Sequence, residues 1–96
     1  MLQYLITALD GKDEDALERR MSVRPEHFIK ARELKASGNF VVGGAILDDE
    51  GKMKGSMMVV QFDSEQELKE WMDSEPYILG KVWQHIEVRP FRIADV

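Results

Sequence analysis

The sequence contains two histidines, and the surroundings of His27 are the ones that favour chemistry. At about 100° per residue of helix, His27 falls inside an apolar arc made by Phe28, Ala31 and Leu34. We therefore expect its imidazole to face inward. An inward imidazole is either a hydrogen-bonded core residue or a group that exchanges protons near neutral pH, and both interpretations are open at this point.

Glu75 is the second candidate for acid-base chemistry, and it stands directly before Pro76. The residue before a proline is driven out of the helical conformation, so we expect Glu75 at a helix end where the chain turns away. A carboxylate at such a position is either a solvated loop acid or part of a site.

Two arginines precede His27 by about one and two helical turns, Arg24 and Arg20 respectively. A guanidinium on that part of the helix would hold an anionic substrate beside the imidazole through charge-assisted hydrogen bonds. The alternative is that both arginines are surface charges paired with the many acidic residues nearby.

Small residues lie near the facing ends of the central hairpin: Gly43 and Gly44 on one arm, Gly55 and Ser56 on the other. A glycine inside a strand often marks the close approach of a ligand or of another backbone. A β-bulge is an equally good explanation.

Highly specific catalytic signatures are absent from the chain, which has no phosphate-binding glycine loop, nucleophile elbow, HExxH sequence or calcium loop. There is no cysteine, and therefore no disulfide framework, zinc ribbon or thiol nucleophile. The six methionines lack His or Cys neighbours, so we expect them in the core or at an interface rather than on a metal. The sequence predicts neither a metal nor an organic cofactor.

The hydrophobic pattern predicts secondary-structure elements in the order β-α-β-β-α-β. Ser22 to Pro25 carry the signals of a helix start, and Gly38 with Asn39 those of its end. The remaining boundaries are a strand at 2–9, a strand at 40–47, a turn at 48–52, a strand at 55–62, a helix from 64 to 76 and a strand at 82–89. Alternation along the last strand predicts that Trp83 and His85 share the face opposite to Ile86.

This order predicts an α+β, ferredoxin-like fold in which two helices cover one face of a four-stranded antiparallel sheet. The strand at 2–9 and the segment 57–62 are apolar on both faces, so the second face of the sheet is also expected to be covered. A second copy packed sheet to sheet would make a homodimer, a dimeric α/β barrel.

Composition limits the number of domains and the classes of partner. The 96 residues are 44% hydrophobic and 32% charged, as expected for one domain spanning 1–96. The net charge of −5 gives no electrostatic basis for binding nucleic acid. The first residues lack the features of a signal peptide or a membrane span, so we expect a cytoplasmic protein with no membrane partner.

Several short motifs occur together in this chain: R-x-x-H at Arg24 and His27, G-x-x-x-G-S at 51–56, acid-Pro-Tyr at 75–77 and R-P-F at 89–91. Together they resemble the YCII-related (YciI-like) family over nearly the whole chain. The resemblance implies a ferredoxin-like fold that dimerises as an α/β barrel and a cleft with a His/Asp dyad. One branch of that family is a dehydrochlorinase of chlorinated hydroxyquinol breakdown.

Carried onto this sequence, the resemblance assigns the dyad to His27 and Glu75, where this chain has Glu in place of the family's usual Asp. It adds Tyr77 to Arg20, Arg24 and Ser56 as candidate substrate-binding residues. The function expected from it is acid-base chemistry, of lyase or dehydrochlorinase type, on a small cyclic or aromatic molecule. The alternative is a non-catalytic module that binds a small ligand or serves only as a structural dimer.

Overall fold

The computed structural model describes residues 1–96 and contains a four-stranded antiparallel sheet with the strand order β2-β3-β1-β4. The elements are β1 (Leu2–Asp10), α1 (Ala16–Ala36), β2 (Phe40–Leu47), β3 (Met53–Phe62), α2 (Glu65–Ser74), α3 (Pro76–Leu79) and β4 (Trp83–Phe91). The predicted ferredoxin-like order is confirmed, with the short helix α3 as an addition. No helix is both long and apolar enough to cross a membrane.

Helix α1 begins at Ala16 rather than near Ser22, so the predicted start was wrong, and Pro25 lies inside the helix. The charged segment before Ser22 is helical because its outer face suits solvent while Arg20, 3% exposed, packs inward. Pro25 lacks the N–H that a helix interior uses, and the other hydrogen bonds of the helix offset this loss. The predicted end is confirmed, since Gly38 has a left-handed φ of 81°.

The glycines of the central hairpin differ in how much space surrounds them. A Cβ at Gly55 would lie 2.3 Å from the Ala8 carbonyl oxygen, so glycine is required there by the approach of β1. At Gly43 a Cβ would lie 3.0 Å from the Phe40 ring and from the Met57 carbonyl oxygen. A Cβ at Gly44 would have no atom within 4 Å.

Strand β4 departs from simple alternation at its start. Asp10 pairs with Trp83 and Leu9 pairs with His85, so Gln84 is bulged out of the register. Because of this irregularity, Trp83 lies on the buried face with Ile86 instead of sharing a face with His85. The predicted face of Trp83 was wrong, whereas its expected role as a buried anchor is confirmed.

The segment after β3 shows how the helices α2 and α3 are arranged. Ser64 caps α2 by accepting the Glu67 N–H at 3.2 Å, as the sequence predicted. Glu75 has an extended backbone conformation between the two helices. Pro76 ends α2, as expected, but it also occupies the first turn of α3, where a proline costs nothing.

The helices cover one face of the sheet and bury the core. Its members are Ile6, Ala8, Leu34, Met58, Val60, Phe62, Leu68, Trp71, Tyr77, Val82 and Trp83. On the other face no helix packs, and the register places Val42, Val59 and Leu5 side by side on adjacent strands. The sheet therefore has one face covered by helices and one face with an apolar strip, made by these three residues, that no helix covers.

Candidate functional site

A cavity of about 190 Å³ lies between α1 and the β2–β3 hairpin, and we call it the α1–β2 cavity. Its walls are contributed by Arg20, Arg24, His27, Phe28 and Ala31 of α1 and by Phe40, Gly43, Gly44, Ala45, Met53, Ser56 and Met58 of the hairpin. The lining therefore contains three basic side chains and not one carboxylate, although the chain as a whole carries a net charge of −5.

His27 contacts Glu75, Nδ1 against Oε1, and the two residues are 48 positions apart in sequence. Glu75 is 1% exposed and His27 is 8% exposed. The carboxylate is held in place by its position at the start of α3, because Oε1 also accepts the Tyr77 N–H at 3.1 Å. Glu75 has a longer side chain than the Asp that is usual in the resembling family. From its backbone position at the start of α3 this side chain reaches the imidazole.

This contact determines which ring nitrogen of His27 is left for a ligand. An ionised carboxylate only accepts hydrogen bonds, and Oε1 already accepts one from the Tyr77 amide. With Glu75 ionised, the imidazole carries its proton on Nδ1 and donates it to Glu75. Nε2 forms no hydrogen bond within the protein, while His27 lines the α1–β2 cavity. Nε2 is therefore the nitrogen that can exchange a proton with a bound molecule.

Tyr77 supports the imidazole from within the core. Its ring stacks on that of His27 with 3.9 Å between centroids and 9° between planes. Tyr77 is 0% exposed, and its hydroxyl has no hydrogen-bond partner. Burial of the phenol raises the pKa of Tyr77 above its ordinary value of 10.0, against the opposing effect of the nearby Arg20 and Arg24 charges.

A second buried network begins at the end of β1 with Asp10. Arg20 Nη1 donates to both carboxylate oxygens of Asp10 at 3.1 Å, and Arg20 Nη2 donates to Ser56 Oγ at 2.9 Å. Trp83 Nε1 donates to the same Oγ at 3.0 Å. Burial raises the pKa of Asp10, while its hydrogen bond and charge pairing with Arg20 lower it. The network joins β1, β3, β4 and α1 beside the cavity.

Arg24 differs from Arg20 because it forms no ion pair in the protein. Its guanidinium carbon lies 4.3 Å from the centre of the Phe28 ring, a cation–π contact between two residues that line the α1–β2 cavity. Arg24 therefore presents an unpaired, only partly buried positive charge to whatever enters the cavity.

The structure brings most of the candidate residues to one place. Arg20, Arg24, His27 and Ser56 line the α1–β2 cavity, and Glu75 lies behind His27. Tyr77 is outside the lining and contacts His27 instead. Substrate contact by any of these residues stays a prediction.

The sequence interpretation missed Asp10, Trp83 and Phe28 as parts of the site. For Asp10 a signal existed, since a carboxylate ends an otherwise apolar strand and an arginine follows ten residues later. Trp83 had no usable signal because a bulge changed its face. No cluster of three or more His, Asp or Glu side chains suited to a metal ion occurs.

Fold and site together define a class: a ferredoxin-like α+β protein with an imidazole–carboxylate pair at a small basic cavity. The model of the YCII-related domain matches residues 3–92. Protein YciI of Escherichia coli O6:H1 is 33% identical over 95 residues, which cover 93% of this chain and 95% of the relative. The chain belongs to the YCII-related family.

Solved structures agree with this fold. The 5-chloro-2-hydroxyhydroquinone dehydrochlorinase TftG of Burkholderia phenoliruptrix AC1100, in complex with 2,5-dihydroxybenzoquinone, superposes with a TM-score of 0.81 at 22% identity, over 96% of this chain and 95% of that one. A dimeric ferredoxin-like protein from an uncultured marine organism gives a TM-score of 0.59 at 18% identity, over 99% and 90% of the two chains. At these identities the likeness shows the fold.

Proposed function

We propose that this protein is an acid-base enzyme in which His27 transfers a proton to or from a small, anionic, single-ring substrate in the α1–β2 cavity. One observation carries the proposal: His27 lines the cavity while the buried carboxylate of Glu75 holds its Nδ1. That arrangement fixes the ring and leaves Nε2 free. General acid-base help of this kind contributes roughly 10² to 10⁴ in rate.

The size of the α1–β2 cavity supports a ring as the substrate. Its volume is about 190 Å³, and a protein cavity of about 150 Å³ holds one benzene molecule. A single substituted six-membered ring therefore fits. Phe28 and Phe40 in the lining offer aromatic surfaces for such a ring.

The charge of the α1–β2 cavity supports an anion. The lining has no carboxylate, and Arg24 has no ion-pair partner within the protein. A guanidinium that is partly desolvated favours carboxylate or phenolate oxygens, because it donates charge-assisted hydrogen bonds to them. A neutral hydrocarbon ring would offer the Arg24 guanidinium no hydrogen-bond acceptor.

The chemistry that suits these groups is an elimination or an isomerisation. In an elimination, Nε2 of His27 accepts a proton from the substrate, and the leaving group departs with the electron pair of its bond, so that the net loss is one molecule of acid. Glu75 stabilises the imidazolium that forms, since its carboxylate lies against Nδ1. The step needs no nucleophile and no external oxidant or reductant.

TftG provides a matching chemical precedent, since it is a dehydrochlorinase and binds 2,5-dihydroxybenzoquinone, a single ring with oxygens around it. Loss of HCl from a chlorinated hydroxyhydroquinone is one elimination of the kind described above. We propose the same class of substrate here, a ring with several oxygen substituents.

The test measures chloride release from 5-chloro-2-hydroxyhydroquinone and binding of 2,5-dihydroxybenzoquinone. We expect His27→Gln to lower turnover by at least about 100-fold. His85→Gln is the matched control, because His85 is the other histidine and its side chain is exposed. Equal turnover in both variants would contradict the proposal. Saturable binding of the quinone without turnover in the wild type would favour the alternative, a ligand-binding module.

We also propose that the open sheet face joins two copies of the chain. Val42, Val59 and Leu5 form an apolar strip there that no helix covers. Val42 is 48% exposed while Val59 is 3% exposed between its neighbours, and an exposed apolar patch on a protein surface marks an interaction site. A dimeric ferredoxin-like protein is among the structural neighbours. The strip lies on the face of the sheet opposite to the α1–β2 cavity. Dimerisation through the strip would therefore not cover the cavity of either copy.

A further inference from the structure

Ser56 has a hydroxyl proton that the protein does not use. A hydroxyl group has two acceptor lone pairs and one proton. Both lone pairs of Ser56 Oγ are engaged, one by Arg20 Nη2 at 2.9 Å and the other by Trp83 Nε1 at 3.0 Å. The side chain donates no hydrogen bond to any protein group, although Ser56 is 4% exposed and lines the α1–β2 cavity.

From this saturation we infer that Ser56 acts only as a donor toward the cavity and binds an oxygen of the ligand. A ligand ammonium group has only donors and would need an acceptor, which this oxygen can no longer provide. A carbonyl, enolate or phenolate oxygen suits the donor well. The inference rests on the proposed function and deepens it, because it states which kind of atom the substrate presents to β3.

The positions of the donors restrict the substrate further. Ser56 belongs to β3 and Arg24 to α1, so they contact the ligand from facing walls of the cavity. A ring with acceptor oxygens on two opposite sides satisfies both at once. A ring with only one oxygen substituent would leave either Ser56 or Arg24 without a partner.

Asp10 is assigned here as a positioning residue that acts through Arg20. Both oxygens of Asp10 accept from Arg20 Nη1, and the two side chains are 3% and 4% exposed. This ion pair holds the guanidinium so that Nη2 reaches Ser56. Without Asp10, Arg20 would be free to turn its charge toward the cavity, and Ser56 Oγ would regain a lone pair.

The experiment measures the dissociation constant of 2,5-dihydroxybenzoquinone by titration calorimetry for the wild type, Ser56→Ala, Asp10→Asn and the double variant. A hydrogen bond to a charged acceptor is worth about 10- to 100-fold in affinity, so Ser56→Ala should weaken binding by that factor. Ser22→Ala is the matched control, since Ser22 lies on the exposed face of α1 and donates to the Arg19 carbonyl oxygen.

The double-mutant cycle separates positioning from general structural damage. If Asp10 acts through Ser56, Asp10→Asn weakens binding several-fold in the wild-type background and has little effect in the S56A background. Equal weakening in both backgrounds would mean that Asp10 supports the fold only, and would overturn its assignment. Unchanged affinity in folded Ser56→Ala would overturn the inference about Ser56.

Ser56→Ala leaves two buried donors unpaired and is at risk of failing to fold. Trp83→Phe is the second variant, because it removes one donor to Oγ, keeps a ring in the core and lies outside the cavity lining. In this variant one lone pair of Oγ is free, so the hydroxyl is no longer restricted to donating and binding should weaken several-fold. Wild-type affinity would overturn the inference that the saturation of Oγ directs its proton to the ligand. If Trp83→Phe binds the quinone as the wild type does but Arg24→Gln abolishes binding, the proposed function stands and only the role assigned to Ser56 is wrong. If the wild type binds no quinone, both fall together.

Discussion

The imidazole of His27 lies parallel to the phenol ring of Tyr77, with 3.9 Å between the ring centroids and an angle of 9° between the planes. The backbone N–H of the same tyrosine donates to Glu75, whose carboxylate contacts His27 Nδ1. One short segment, residues 75–77, therefore restrains the imidazole in two ways, by its hydrogen bond and by its ring plane. Pro76 makes this possible, because it begins α3 directly after the carboxylate.

The first prediction concerns the tautomer of His27. Correlated proton–nitrogen NMR at neutral pH should show the proton on Nδ1 in the wild type. Glu75→Gln should keep that tautomer, since an amide oxygen still accepts the hydrogen bond, yet lose turnover because the charge that stabilises the imidazolium is gone. Glu75→Ala should show exchange between tautomers. The exposed His85 provides the internal reference, and a His27 signal that averages like His85 in the wild type would contradict the geometry.

The second prediction concerns the unpartnered hydroxyl of Tyr77. Removing a buried polar group that has no partner is neutral or stabilising, so Tyr77→Phe should keep the stack on His27 and raise the free energy of unfolding by up to about 1 kcal/mol at neutral pH. Urea unfolding of both proteins measures this. A loss of more than about 2 kcal/mol would mean that the hydroxyl does have a partner in solution.

The same variant gives a pH dependence whose sign follows from the raised pKa of Tyr77. The folded state holds the phenol proton more tightly than the unfolded chain does. The stability that this provides is complete below the ordinary value of 10.0 and is lost as the pH rises through the higher folded value. Wild type should therefore lose more stability than Tyr77→Phe as the pH rises above 10.0. Parallel losses in both proteins would count against the burial of this phenol.

The third prediction compares two arginines on α1. Arg24→Gln should weaken binding of 2,5-dihydroxybenzoquinone by about 10-fold or more and reduce its dependence on salt, because a charge-assisted contact is lost. Arg32 is the control, since it lies 5.9 Å from the same Phe28 ring but does not line the cavity. Arg32→Gln should change affinity less than about 2-fold. Equal loss of affinity in the two variants would mean that the overall positive charge of the helix attracts the ligand, and not a direct contact with Arg24.

The fourth prediction concerns the open face of the sheet. Val42→Lys places a charge on the apolar strip, where it should convert a dimer into a monomer in light scattering coupled to gel filtration, because burying an unpaired charge is costly. Leu79→Lys is the control, since Leu79 is 65% exposed on α3 and away from the strip. Its mass should stay that of the dimer. A monomeric wild type at high concentration would contradict the proposed interface.

Local pattern was sufficient to predict the four strands, the two longer helices and their order, because apolar periodicity reports directly which face of a strand or helix is buried. The short helix α3 was not predicted. The cap at Ser64 and the left-handed Gly38 were predictable for the same reason, since each depends on residues only a few positions away. The start of α1 was not, because Arg20 counts as a surface charge until Asp10 is placed beside it.

Residue types alone selected His27 and Glu75 as candidates for chemistry, and family motifs added their pairing as an expectation. Tertiary structure decided which atoms meet. His27 and Glu75 are 48 residues apart, and Ser56 is 36 residues from Arg20 and 27 from Trp83. Contacts over such separations depend on strand register, and a single bulge at Gln84 was enough to bring Trp83 to Ser56. The sequence by itself determined the fold and the kinds of groups available, because both follow from local periodicity and residue chemistry. Only the packing of α1 and α3 against the sheet decided that the groups form one cavity, since that depends on how distant faces fit together.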